Sequence, residues 1–237
     1  MKIYKFKSLQ DESAHYHLLQ IIDENKVWCA APKTLNDTKE FSFEMDYCPT
    51  KKTSILLAKV LEKFGSLNLP PHMKASYVIA NNKLEEIAKP VVEDMVKECR
   101  NSIGVTSFSK SGTGDQLWKE YGGKGNGAVV EFEMSDASLG RTFHSVDYVA
   151  KRLFHIDIFL ESQIGDASQI FRSILCTKTK RWQDEQEIRF LGQTPNINIK
   201  FEAPVTGITI GRNVSSLLTK KLIEHCKIRK INVAQQE

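Results

Sequence analysis

The chain has 237 residues, of which 41% are hydrophobic and 26% are charged. This composition is typical of a globular protein whose chain is long enough to bury a sizeable core. The net charge of +4 permits an anionic ligand or a nucleic acid as partner but demands neither, because nucleic-acid binders usually concentrate their charge on one face.

The first part of the chain predicts a strand, a helix and a second strand. Bulky side chains predict the first strand over residues 2–6, and an apolar stripe predicts a helix over residues 11–25. The second strand ends at Pro32, and a long loop follows. In that loop Asn36 and Asp37 are typical of a turn capped by its own side chains, or alternatively of an active-site rim.

Residues 51–100 predict a helical insert, closed at Gly65 in its first helix and kinked or restarted at Pro90 in its last. The remaining chain predicts further strands, at residues 103–108, 127–133, 141–149, 186–191, 203–211 and 228–234. It also predicts helical segments, at residues 114–121, 151–177 and 215–227.

Strands and helices do not alternate strictly along the chain, and no long linker divides it. We therefore predict one α+β domain over residues 1–237, with a mixed β-sheet core and residues 51–100 as a peripheral insert. The strands at 2–6, 103–108, 127–133 and 186–191 are expected to share that core.

The segment KTKRWQDEQEIRF, residues 178–190, places a tryptophan beside two basic residues and then alternates charged and apolar side chains at its end. As a strand it would place Glu185, Glu187 and Arg189 on one face, and Ile188 and Phe190 on the other. On a solvated sheet edge such charges simply discourage aggregation. If the face lines a cleft, the same groups become candidates for chemistry.

Five motifs, in this order, resemble the bacterial "domain of unknown function 2971" family: IYKF, LNDTKEF, GVTSFSKS, LWKEYGGKGNGAVVEFE and RWQDEQEIRF. The likeness covers nearly the whole chain, and residues 51–100 are its least characteristic part. Leu35 and Thr38 stand where a Phe and a Pro would be usual. The resemblance implies a fold family rather than an activity.

The chain also resembles, more weakly, the ADP-ribosyltransferase superfamily, and the resemblance implies NAD as substrate. The matching features are Tyr4 and Lys5 on the opening strand, the middle segment 107–109, and Glu185 and Glu187 late in the chain. It implies Glu187 as the catalytic carboxylate, assisted by Glu185, because a carboxylate can stabilise an oxocarbenium-like transition state. Lys5 stands where a His or Arg is usual and lacks the bidentate fork of Arg.

The candidate residues for binding the nucleotide are Tyr4, Lys5, Ser107, Ser109, Trp118, Tyr121, Trp182 and Arg189. Simpler roles compete with these assignments. Glu187 and Arg189 would form a partly exposed ion pair of little energetic worth. Trp118 and Tyr121, three residues apart on a short helix, would be packing residues, and Trp182 a core or groove wall.

Three function classes stay open. The first is a transferase or glycohydrolase acting on NAD or a nucleotide, by analogy a bacterial toxin or an anti-phage defence protein. The second is a nucleic-acid-binding or nuclease module. Its carboxylates would be Asp184, Glu185 and Glu187, which could form part of a metal-dependent site. Its basic residues would be Lys178, Lys180, Arg181, Lys220, Lys221, Lys227, Arg229 and Lys230. The third is a non-catalytic protein that binds a protein partner.

The five cysteines form no CxxC pair, and no histidines lie at HxxxH spacing, so we expect neither zinc nor another metal. The segment GGKGNG lacks the spacing of a phosphate-binding P-loop and predicts a turn. No apolar run marks a signal peptide or a membrane span, and we therefore expect a cytoplasmic protein without membrane contact.

Overall fold

The computed structural model describes residues 1–35, 41–64, 70–138 and 141–236. The chain divides into two compact units. The first, which we call the sheet unit, comprises Met1–Thr34, Ile103–Val146 and Lys180–Glu237; the second, the helical unit, comprises Leu35–Ser102 and Asp147–Thr179. Both strands and helices are well represented, which confirms the α+β class. A single domain over the whole chain stays a prediction.

The strands are β1 (Lys2–Ser8), β2 (Lys26–Cys29), β3 (Glu44–Asp46), β4 (Gly104–Ser109), β5 (Gly127–Glu133), β6 (Phe143–Ser145), β7 (Asp147–Val149), β8 (Leu153–His155), β9 (Thr177–Thr179), β10 (Glu187–Gly192), β11 (Ile197–Lys200), β12 (Val205–Ile210) and β13 (Asn232–Gln235). The helices are α1 (Glu12–Glu24), α2 (Lys51–Lys63), α3 (Pro71–Ala80), α4 (Leu84–Ser102), α5 (Asp115–Glu120), α6 (Ile156–Ile164), α7 (Ser168–Leu175) and α8 (Ser216–Ile228). None of the helices in these described residues is long and apolar enough to cross a membrane.

The sheet unit is built on a mixed sheet of seven strands in the order β13-β12-β5-β1-β4-β10-β6. Strand β13 runs parallel to β12, and every other neighbouring pair is antiparallel. The four strands expected to share a core, β1, β4, β5 and β10, are consecutive neighbours at its centre. This prediction is confirmed.

One face of the sheet is apolar. Paired residues on antiparallel strands lie on the same face, and here the pairs include Ile3 with Phe132 and Ile188 with Phe108. These four side chains belong to one buried cluster, to which α1 and α8 contribute Leu18, Ile21, Leu222 and Cys226. The apolar face is therefore the core of the sheet unit.

The opposite face, which we call the polar face, carries the next residue along each strand. Its pairs are Tyr4 with Ser109, Ser109 with Glu187, and Arg189 with Ser107. The register of three strands thus places residues that are far apart in the sequence side by side.

The helical unit contains α2, α3, α4, α6 and α7 with two short parallel strand pairs, β3 with β8 and β7 with β9. Asp157 at the start of α6 accepts a hydrogen bond from the Thr53 hydroxyl at 2.5 Å and another from the Thr50 hydroxyl at 3.2 Å. These contacts join the first turns of α2 and α6. Helix α4 continues through Pro90 as one helix, so a restart there was a wrong prediction.

Several predicted boundaries were wrong. Residues 151–177 are not helical throughout, because β8 precedes α6 and β9 begins at Thr177. The strand predicted over 141–149 is two strands, β6 and β7, and the loop before residue 50 contains β3. Asn36, Asp37, Thr38 and Gly65 lie outside the described residues.

Candidate functional site

Glu187 and Arg189 form a buried ion pair on the polar face. They are two residues apart on β10, so their side chains project on the same side of the strand. The Arg189 Nε donates to Glu187 Oε1 at 2.8 Å, and Nη2 donates to Oε2 at 3.0 Å. The exposed fraction of the side chain is 5% for Glu187 and 1% for Arg189. The guanidinium therefore fixes both carboxylate oxygens in a fork-like contact.

The Glu187–Arg189 ion pair is buried rather than partly exposed to solvent. The alternative of a partly exposed surface pair was wrong, because both groups are removed from water. Burial lowers the pKa of Arg189 to about 9, which leaves the guanidinium protonated at neutral pH. Taking two charges out of water costs several kcal/mol per ion before their attraction offsets it. Such a pair is weak evidence for a role in stability, because apolar side chains of similar volume often stabilise a fold as well or better.

Glu185 lies near the start of β10, but in a turn rather than in the predicted strand. It is not part of β10, because the strand begins at Glu187 and Glu185 ends a 3₁₀ turn over Lys180–Glu185. Between the two carboxylates, Gln186 has a φ of 44°, in the left-handed region. The strand predicted through residue 185 was therefore wrong by two residues.

Glu185 is nevertheless held firmly. It is 4% exposed, and its Oε1 accepts a hydrogen bond from the Tyr121 hydroxyl at 2.7 Å. Its backbone oxygen accepts a second bond from the Ser109 hydroxyl at 2.8 Å. Ser109 in turn lies opposite Glu187 in the β4–β10 register. Both carboxylates are thus anchored next to the same serine.

Trp118 and Tyr121 have different roles. Trp118 is buried on α5, and its ring meets that of Phe6 edge to face, with 5.5 Å between the ring centres. Gly122 packs against Trp118 so closely that an added Cβ would lie 2.5 Å from the indole. Trp118 therefore packs against the polar face of the sheet through Phe6. Tyr121 follows the end of α5 and turns its hydroxyl to Glu185.

Tyr4 and Ser107 occupy flanking positions on the polar face. Tyr4 lies opposite Ser109, and the backbone at Gly112 covers its ring, since an added Cβ would lie 2.7 Å from two ring carbons. Burial and the nearby Glu131 raise the pKa of the Tyr4 phenol, which keeps it a hydrogen-bond donor. Ser107 lies opposite Arg189.

Lys5 lies on the other face, so the structure does not place its side chain beside these residues. It is paired with Val130, and strand alternation places it on the side opposite to Tyr4. Its Nζ donates to the Ser107 backbone oxygen at 2.9 Å and lies 5.5 Å from the centre of the Phe108 ring. Burial, and then the nearby Lys7, lower the pKa of Lys5 to about 7.

The turn before β10 carries the exposed residues Arg181 and Asp184. The guanidinium of Arg181 lies 5.1 Å from the centre of the Trp182 ring, at cation–π distance. Asp184 was grouped with Glu185 and Glu187 as a metal-binding set. Across the described ranges, no three His, Cys, Asp or Glu side chains are gathered closely enough to hold a metal ion.

Two features of the site were missed. His144 on β6 pairs with Arg189 and so belongs to the polar face, and Tyr121, considered for nucleotide binding or for packing, donates to Glu185. The alternation of FHS at residues 143–145 predicted a strand, but only its pairing with β10 shows which residue His144 faces.

Comparisons with models of known protein families, with curated proteins and with solved structures find no match for this chain.

Proposed function

We propose that the polar face of the sheet unit is the active site of a transferase or glycohydrolase that uses NAD or another nucleotide. The observation that supports it is the pair of buried carboxylates, Glu185 and Glu187, each fixed by its own partner. Buried ionisable groups are costly, and they cluster at functional sites more often than elsewhere. The weak resemblance to ADP-ribosyltransferases supplies the reaction class.

In this reaction the bond between C1′ of the ribose and the nicotinamide nitrogen breaks. Its electron pair leaves with nicotinamide, and positive charge develops on the ribosyl group. Glu187 stabilises that charge, because a carboxylate already fixed in place needs no reorganisation when the charge appears. Arg189 is a positioning residue that orients Glu187 through two hydrogen bonds.

A nucleophile then attacks C1′ and gives up a proton, which Glu185 accepts as general base. The nucleophile is water in a glycohydrolase and an acceptor hydroxyl or amine in a transferase. Tyr121 and Ser109 are positioning residues, because both hold Glu185. Lys5 has no part in this proposal, since it lies on the apolar face.

The test is release of nicotinamide from NAD, followed by chromatography, with and without a metal chelator. We expect turnover that persists with chelator. Asp184→Asn is the matched control, because Asp184 is exposed one residue before Glu185 and contributes nothing to the proposed chemistry; it should keep full activity. Failure to cleave NAD, or loss of cleavage in Asp184→Asn, would contradict the proposal. Chelator-sensitive cleavage of nucleic acid instead would favour a nuclease.

A further inference from the structure

The solvent-facing side of α8 carries a row of lysines. The helix turns Leu222 and Cys226 into the core. With 3.6 residues per turn, Lys220, Lys221 and Lys227 lie away from that side, and all three are exposed. The sequence of α8, SLLTKKLIEHCKI, contains a single acidic residue. One side of the helix is therefore predominantly positive.

The positive surface extends past both ends of α8. The Asn213 side-chain nitrogen donates to the Lys124 backbone oxygen at 2.8 Å, which brings exposed Lys124 and Arg212 to the start of the helix. Exposed Lys230 follows its end. We call this surface the basic band, and its members are Lys124, Arg212, Lys220, Lys221, Lys227 and Lys230.

The basic band outnumbers the one acidic residue of α8, exposed Glu224, which lies within one turn of Lys220, Lys221 and Lys227. Within the parts of the chain that the structure describes, none of its six members forms an ion pair. Neighbouring Arg229 is excluded from the band because its Nη2 lies 3.0 Å from Asp23, which also contacts His225 at 2.6 Å. The 13 residues of α8 span about 20 Å, which is longer than a single phosphate group or ribose. A linear polyanion matches this shape.

The apolar residues on the same side of α8 argue against a membrane surface as that polyanion. Leu217 and Ile228 are 66% and 79% exposed, but they stand three turns apart with lysines between them. A helix that lies in a membrane interface needs a continuous apolar face. The apolar face of α8 is already buried in the core of the sheet unit.

We infer that the basic band binds the phosphate backbone of a nucleic acid. Lysine ammonium groups are point charges that suit phosphates, and phosphate contacts position a nucleic acid without identifying its bases. The band consists of lysines and one arginine that would contact phosphates, which are the same in every sequence, so we expect binding that does not depend on base sequence. This inference does not depend on the proposed reaction on the polar face.

The test uses the full chain and fluorescently labelled DNA of about 20 nucleotides, single-stranded and duplex, with anisotropy measured from 50 to 200 mM KCl. Wild type should bind both with an affinity that falls steeply with salt. Lys220→Gln/Lys221→Gln/Lys227→Gln should weaken binding at 50 mM KCl by about tenfold or more. It should also reduce the slope of log K against log salt by roughly 2 to 3.

The matched control is Lys33→Gln/Lys110→Gln/Lys119→Gln, which removes the same charge from exposed positions of the sheet unit outside the band. It should bind nearly as wild type does. No binding to either DNA at 50 mM KCl would overturn the inference, as would equal loss in the two triple variants. Binding to phosphatidylserine vesicles but not to DNA would overturn it too. Nicotinamide release, measured in parallel, tests the polar face separately.

Discussion

The two faces of the central sheet carry cations in contrasting settings: Arg189 is buried and Lys5 is partly buried. On the polar face, Arg189 has a carboxylate partner on its own strand, and burial leaves its pKa at about 9. On the apolar face, the Lys5 ammonium group contacts a backbone oxygen and an aromatic ring, and its pKa falls to about 7. Burial lowers both pKa values, but a guanidinium starts from the higher ordinary pKa, so Arg189 stays charged, whereas Lys5 loses much of its charge near neutral pH. The two cations therefore differ in intrinsic basicity and in contacts, since Arg189 contacts a carboxylate and Lys5 contacts a backbone oxygen and an aromatic ring.

The largest effect is expected from Glu187→Gln. Removing the charge of one partner of a buried ion pair is strongly destabilising, so the free energy of unfolding should fall by about 3 kcal/mol in a urea titration. Nicotinamide release should fall by roughly a hundredfold, the scale seen when one electrostatic stabiliser is removed. Full activity in this variant would show that the pair has no catalytic role.

Glu187→Leu/Arg189→Met separates stability from activity. Replacing both members of a buried pair with apolar residues of similar size is often neutral or stabilising. We therefore expect a free energy of unfolding within about 1 kcal/mol of wild type, together with the loss of activity seen in Glu187→Gln. A stable double variant that still releases nicotinamide would contradict the role given to the polar face.

Tyr121→Phe should have an intermediate effect. It removes the hydroxyl that donates to Glu185 but keeps the ring. A lost hydrogen bond to a buried polar group costs about 1–3 kcal/mol, and we expect a loss of that order in stability and about tenfold in kcat with little change in KM. An effect on KM alone would indicate substrate binding rather than positioning of the general base.

Lys5→Met should have the smallest effect, and one that depends on pH. The pKa of Lys5 is about 7 in the folded protein and near 10.5 ordinarily, so the unfolded state binds more protons between these values. The stability of wild type therefore rises with pH in that range as the cost of burying the charge is relieved. The Lys5→Met variant lacks the titrating ammonium group, so its stability should lack this rise with pH.

In urea titrations Lys5→Met should exceed wild type in stability most clearly below pH 7. The advantage should shrink by about 1–2 kcal/mol between pH 7 and pH 9. Nicotinamide release should be unchanged at every pH. Parallel pH profiles for the two proteins would show that Lys5 is better solvated than its place on the apolar face implies.

The sequence predicted the sheet better than the site. Alternation of bulky residues identifies β1, β4, β5 and β10, because it follows directly from strand geometry. The same alternation should have separated Lys5 from Tyr4, whose side chains point to opposite faces as neighbours on one strand. The left-handed turn at Gln186 and the contact of Tyr121 with Glu185 depend on tertiary packing. No local sequence pattern predicts the turn or the contact.

The position of β1 has a consequence for synthesis on the ribosome. This strand is made first, yet its neighbours are β4 and β5, with Tyr4 opposite Ser109 and Lys2 opposite Glu133. At a translation rate of about 5–20 residues per second, β1 stays unpaired for on the order of ten seconds until both partner strands have been translated. Lysines at positions 2, 5 and 7 give it charge on both faces during that interval. Charges on an unpaired strand discourage wrong pairing, so they protect the nascent chain from aggregation before the sheet closes.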